Sequence, residues 1–283
     1  MKMKNKLYKW LFTLPVIIYS LVLIFLPLVY ILIISFYKND SYGGMIKTLT
    51  LSNYIQLFDL VYIKIFLQSI LIAVIVTFIC IVISYPFVLA VCHKSKLTQK
   101  VLMTLVMVPF LTNSLIRMYG WIVLLRKAGV INTLLTDAGI INTPLKLMYN
   151  NFGIIVGMIY TLIPFMILPL YSSVSAIDKS IIEAANDLGA NKIKTFFKII
   201  VPSTKPALFN GSLMVFTPAL GYFFIVDVLG GGKIMILGNL IKNQFLTARN
   251  WPFGASVSVV LLLITFAIIG VYRKSGGKLE DLG

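Results

Sequence analysis

Histidine is almost missing from this chain: His93 is the one imidazole in 283 residues. That excludes a histidine-rich metal cluster and argues against a Ser-His-Asp triad. His93 lies among lysines at an expected helix end and reads as an interfacial residue. Cysteine is scarce as well. Cys80 and Cys92 are twelve residues apart on one expected helix, a rise of roughly 18 Å that no disulfide can bridge, so they read as inert helix residues. Acids number nine against 25 Lys and Arg. The phosphate-cradling pattern G-x-x-x-x-G-K-[ST] is also missing. "VLGGGKIM" contains Gly-Lys but lacks the hydroxyl and the leading glycine spacing, so the chain is not expected to bind ATP itself. No internal repeat or low-complexity linker interrupts it.

What the chain has in abundance is long apolar runs. It is 59% hydrophobic and 12% charged, and its apolar residues come in blocks too long for a globular core. A bilayer-spanning helix needs about 20 apolar residues. Charge-free runs lie between Lys9 and Lys38, Lys64 and His93, Lys146 and Asp178, Lys205 and Asp227, and Arg249 and Arg273, and another follows Lys100 and reaches Arg117. Backbone groups in lipid must be satisfied internally, so these six runs predict six helical spans. The start, "MKMKNKLYKWLFTLP", has the charge order of a signal peptide, but its apolar run is too long and no small-residue cleavage pattern follows. It is expected to be a retained first span.

The net charge of +16 does not require nucleic acid as partner, because the basic residues segregate by loop. With the N-terminus inside, fifteen Lys and Arg fall on the cytoplasmic side and nine on the outer side, with Arg117 inside a span. This asymmetry predicts both termini in the cytoplasm. Arg117, near the outer end of its span, is expected to snorkel to the interface. The outer segment from Val130 to Asn150 reads as a short amphipathic helix followed by a proline-marked turn.

The cytoplasmic stretch "EAANDLGANKIKTFFKIIVPSTKPAL", Glu183 to Leu208, has internal order. Ser180 and Glu183 have capping-box spacing, which predicts a helix start, and Gly189 suits the position just past that helix's end. A second helix is expected from about Asn191, with Ile193, Phe196, Phe197 and Ile200 on one face and Lys192, Lys194 and Lys198 on the other. Pro202 and Pro206 stop it and start the fifth span. On these residues alone, the interlude is either an interfacial anchor or a docking surface for a cytoplasmic partner.

Glu183-Ala184-Ala185, Gly189, Ile199 and Pro202 resemble the EAA loop of permease subunits of bacterial ATP-binding-cassette importers, with Val201 where the usual pattern has leucine. In that family the first short helix couples to the ATPase. Small Ala184 and Ala185 would allow its close approach, and Gly189 lets the chain turn where a side chain is unfavourable. A narrower resemblance, from roughly Pro109 to Ala255, rests on "VPFLTNSLIRMYGW", "IPFMILPLYSS" and "DVLGGGKIMILGNLIKNQFLTARNWPFGAS". These are similar to the B-type permease subunits of spermidine/putrescine importers. Asn250 departs from the acid that the family often carries before the tryptophan, which puts an acidic rim there in question.

The resemblance implies an all-α integral membrane protein of the type I ABC importer permease fold. Residues 1–283 would form a single transmembrane domain with its coupling loop at about 178–206, in the bacterial cytoplasmic membrane. Its implied partners are a second permease subunit, two ATPase subunits that bind ATP and Mg, an extracytoplasmic polyamine-binding protein and membrane lipid. No cofactor, metal or catalytic residue is expected in this chain. The same architecture importing another solute is the alternative. A stand-alone channel or secondary carrier would need charged residues inside several spans and would leave the EAA loop without a purpose.

The expected outer face carries nine basic residues and four acids, a balance that repels free polycations and calls for delivery by a binding protein. Asp227 is the one acid that abuts a span directly, beside Tyr222, Phe223 and Phe224. A carboxylate and aromatic faces would attract a passing ammonium by charge pairing and cation–π contact, and weak serial contacts suit passage better than one tight site. The competing reading is that Asp227 caps the following glycine turn or pairs with Lys233. On the fourth span, Tyr160 and Tyr171 return to nearly the same face. Tyr160 and Ser173 are further candidates for the path, with packing as the competing role.

Overall fold

A computed structural model describes residues 13–40 and 44–274, the last four by backbone alone. Lys2, Lys4, Lys6, Lys9 and Lys278, and the side chains of Arg273 and Lys274, lie outside that description, and with them the terminal part of the charge asymmetry.

In chain order the elements are α1 (Thr13–Ile34), β1 (Tyr37–Asn39), β2 (Met45–Leu49), α2 (Ser52–Gln56), α3 (Leu60–Cys92), α4 (Lys96–Met107), α5 (Ser114–Leu125) and α6 (Val130–Asp137). There follow α7 (Asn151–Ser175), α8 (Lys179–Asp187), α9 (Lys192–Thr195), α10 (Val201–Ser203), α11 (Lys205–Gly221), α12 (Phe223–Gly230), α13 (Leu237–Leu246) and α14 (Trp251–Lys274). Four helices, α1, α3, α7 and α14, are long and apolar enough to cross a membrane unbroken, and the number is six if each of two bent pairs is one span.

Both bends correct the expectation of six continuous helices. After α4 the chain passes through a 3-10 turn at Val108–Leu111, and the pair it forms with Ser114–Asp137 bends by 96°. Pro109 has no N–H to continue the helix, Thr112 is extended, and Asn113 caps α5 by accepting from Leu115 N at 2.8 Å. The fifth span breaks at Tyr222, where α11 and α12 meet at 60°. Pro218 and Gly221 weaken the helix just ahead of that point. Charge-free runs carry no signal for either break.

The residues group into two compact units, Met1–Ile63 with Leu240–Phe266, and Lys64–Asn239 with Ala267–Gly283. In the first unit, α1 buries only 6% of its most apolar window. The antiparallel hairpin β1–β2, not anticipated from the sequence, is tied to α2 by Asn53, whose Nδ2 donates to the carbonyls of Ser35 and Tyr37. Asn250 accepts from Phe253 N at 3.1 Å and so caps α14. That role needs only a side-chain oxygen, which Asn supplies as well as Asp.

In the second unit, α7 packs along α11 and α12. Gly153 lies against Leu229, Gly157 against Leu229 and Ile225, and Gly211 against Met166 and Pro169. None of these glycines leaves room for a Cβ, so backbones approach closely, as small residues allow between membrane helices. The proline-marked turn after α6 is held by Asn132, buried, whose amide bonds both the N–H and the carbonyl of Leu145. Cys80 and Cys92 are both free.

Candidate functional site

The first half of the interlude forms as expected, with one correction at its start. Asp178, not Ser180, caps α8: its Oδ1 accepts from Ser180 N at 3.0 Å. That hydrogen bond, with a second from the Ser180 side chain, holds the Asp178 carboxyl below the usual carboxylate range. Asp178 precedes Ser180 and is the better anionic partner for a helix N-terminus, so the capping box does not form. At the other end Gly189 has φ +76°, Gly189 N donates to Asn186 O at 2.9 Å, and Ala190 N donates to Ala185 O at 3.0 Å. This pair of bonds is a Schellman motif. Glu183, Ala184 and Gly189 are exposed and Ala185 is buried. Leu188 and Ile181 add exposed apolar surface to the same helix.

The second half departs from the expected amphipathic helix. Lys192–Thr195 is α-helical and capped by Asn191, a π-turn follows at Phe196–Ile200, and α-helix resumes at Val201–Ser203. A π-turn holds one residue more than an α-turn, so the i, i+3, i+4 pattern no longer marks one face. Ile200 and Thr195 are buried and Phe196 half-buried, whereas Ile193 and Phe197 face out. Pro202 is exposed, in the short α10 that precedes the fifth span.

The path candidates gather around the break in the fifth span. Asp227 sits on α12, half-buried, one helical turn past Phe223 and Phe224. Its Oδ1 accepts from Asn239 Nδ2 at 2.6 Å, a charge-assisted contact. Asn239, 3% exposed, also donates to Phe223 O, and its Oδ1 accepts from Ile236 N. Leu237 N donates to Ser69 Oγ on α3, and Gly238 packs directly on the Gly221 carbonyl. The break is thus held from both sides, with α12 tied to the start of α13. Sequence reasoning missed Asn239. Its one signal was its place in the quoted "ILGN", between a glycine and a leucine in an otherwise apolar stretch.

Tyr160 is half-buried and meets Trp121 edge-on, with ring centroids 5.4 Å apart. One turn earlier on α7, Gly157 lies against Ile225 and Leu229 of α12. Ser173 is not part of this group: it lies thirteen residues further along α7, roughly 20 Å along the axis. Tyr171 is engaged in structure, donating to Gln99 Oε1 at 3.0 Å. Arg117 does not snorkel. Its guanidinium carbon lies 5.3 Å from the Phe110 ring centroid, and Nε and Nη1 are buried without a hydrogen-bond partner. The 96° bend is what turns α5, and Arg117 with it, away from the course of a straight span.

The family described as binding-protein-dependent transport system inner membrane component matches residues 83–274. The chain belongs to that family. This permease is 40% identical over 266 residues to the spermidine/putrescine transport system permease protein PotB of Haemophilus influenzae, covering 93% of each chain. It is 40% identical to the Escherichia coli K12 protein of the same description, over 91% of this chain and 94% of that one. Among solved structures it matches a chain of a bacterial ABC transporter involved in import of the acidic polysaccharide alginate. The TM-score is 0.77 at 16% identity, over 96% and 97% of the two chains. A second alginate transporter chain, solved with an alginate pentasaccharide-bound periplasmic protein, gives 0.78 at 15% identity. At those identities the likeness is one of fold: the permease has the all-α architecture of an ABC importer subunit. It is a transport component of the inner membrane.

Proposed function

We propose that this permease conducts spermidine or putrescine inward as one half of the membrane part of an ATP-driven importer. The observation that carries the substrate class is Asp227: a half-buried carboxylate oriented by Asn239 beside the broken fifth span, next to Tyr222, Phe223 and Phe224. Identity of 40% to polyamine permeases over nearly the whole chain supports the same reading. An ammonium passing this point gains a charge partner and aromatic faces, each of order 1 kcal/mol when partly desolvated. The other half of the membrane part is a second permease. Two ATPase subunits bind the ATP and Mg, and one of them docks on α8 of this chain through Glu183, Ala184 and the exposed apolar Ile181 and Leu188, with Ala185, Gly189 and Pro202 setting the frame. An extracytoplasmic binding protein delivers the polyamine to an outer face that repels it, and both termini lie in the cytoplasm.

Asp227→Asn tests the substrate reading. It removes the charge but keeps the shape and an oxygen for Asn239 to bond. Uptake of labelled spermidine and putrescine, normalised to recovered complex, should fall roughly 5- to 30-fold, the equivalent of about 1–2 kcal/mol. Normal uptake would remove Asp227 from the path, and lost uptake with a disassembled complex would make it structural.

A further inference from the structure

Tyr85, buried on α3, holds both ends of the π-turn that separates α9 from α10. At the near end, its ring meets Phe196, the first residue of the turn, edge-on with centroids 5.2 Å apart at 88°. At the far end, its hydroxyl lies 2.9 Å from Thr204 Oγ1. Thr204 is 0% exposed and donates its single hydroxyl proton to the carbonyl of Ile200, the last residue of the turn, at 2.8 Å. Thr204 Oγ1 also lies 3.3 Å from the Val201 carbonyl, and with Tyr85 as donor to Thr204 both hydroxyl protons are used, in a chain from Tyr85 through Thr204 to Ile200.

Two unsatisfied hydroxyls mark the same place. Thr77, Thr161, Ser69 and Ser212 all bond back to a carbonyl four residues earlier. Ser84 Oγ and Thr195 Oγ1 are buried and have no partner. Each immediately precedes one of the residues in ring contact, Tyr85 and Phe196. Buried hydroxyls are rarely left unpaired, so this packing is incomplete in the arrangement seen. Pro86 follows Tyr85 inside α3 and removes a rung of that helix's own ladder, which makes α3 easiest to bend there. A π-turn is rare inside an α-helix and recurs at functional sites.

We propose that Tyr85 is the positioning residue through which motion of the coupling loop reaches the second span, α3. This rests on the reading of α8 as the ATPase contact. A displacement of α8 passes through α9 to the π-turn, and the Phe196 contact and the Tyr85–Thr204–Ile200 chain carry it to α3 at its proline.

The test uses the whole transporter, co-expressed with its partner subunits and reconstituted in liposomes, with spermidine uptake and ATP hydrolysis measured separately. Tyr85→Phe removes the bond between Tyr85 and Thr204, and Thr204→Val removes that bond together with the hydroxyl's bond to the Ile200 carbonyl, each while keeping shape. Each should lower spermidine moved per ATP hydrolysed about 5-fold, the size of one such bond, with hydrolysis and complex recovery within about twofold of the parent. The double variant should be no worse than Thr204→Val alone, because Thr204→Val already removes the bond that Tyr85→Phe would break. Tyr171→Phe, which loses the hydroxyl bond to Gln99 instead, should keep the parental ratio. An unchanged ratio in both single variants, an additive double, or loss that tracks disassembly would each overturn the proposal. Glu183→Lys separates the two readings. If it leaves hydrolysis and uptake untouched, the ATPase contact on α8 is wrong. If it impairs both while Tyr85→Phe and Thr204→Val keep the parental ratio, only the role of Tyr85 is wrong.

Discussion

Replacing Gly189 with alanine isolates a single physical effect. The backbone there has φ +76°, and nothing lies within 4 Å of the position a Cβ would take. No steric clash with neighbours follows, so the whole penalty is the left-handed conformation itself, about 1–2 kcal/mol for an L-residue with a side chain. That strain opposes the two bonds that end α8, from Gly189 N and Ala190 N. A helix of nine residues has little stability of its own to absorb the loss. The population of the ended helix should drop, and ATPase binding to the purified permease pair should weaken about 5- to 30-fold. Asparagine enters the left-handed region more easily than alanine, so Gly189→Asn should retain a large part of the affinity. Substrate-stimulated ATP hydrolysis should follow the same order, with membrane abundance unchanged. Equal affinity for the parent and the alanine variant would refute the geometric argument. Asparagine as damaging as alanine would show that bulk on the docking surface matters rather than the backbone angle.

Reporter tags at the two termini should both label as cytoplasmic, since basic residues are in excess on that side of the expected topology; an outward signal from either end would put α8 on the wrong side of the membrane. Asn239→Ala removes the donor to the Asp227 carboxylate and leaves the buried Ile236 amide without its acceptor, a loss of about 2–3 kcal/mol. Thermal unfolding of the detergent-purified complex should shift down by several degrees, and an unshifted midpoint would show that the amide does not hold the break.

The apolar helices and the end of α8 at Gly189 were legible because both rest on local chemistry. A charge-free run must bury its backbone in a helix wherever it sits, and Gly189 turns the chain by its own backbone preference. The cap of α8 was misread between two adjacent candidates, Ser180 and Asp178, which the sequence alone does not rank. The π-turn was illegible because no local pattern marks it, and the contact it makes, Phe196 against Tyr85, is 111 positions away in sequence. The expected face of Ile193 and Phe197 failed for the same reason.

The site divides along the same line. Composition placed an acid, three aromatics and a coupling motif on the chain, and the charge-free runs determined that it is a membrane protein, since the hydrophobic penalty is summed over residues regardless of partners. The bend at Thr112–Asn113 that turns Arg117 onto Phe110 and the break at Tyr222 were decided in the folded state. So was the grip of Asn239 on Asp227. Each depends on how side chains of neighbouring elements meet once the helices are packed. A buried polar atom must find its partner in space, and no local pattern states where that partner will be.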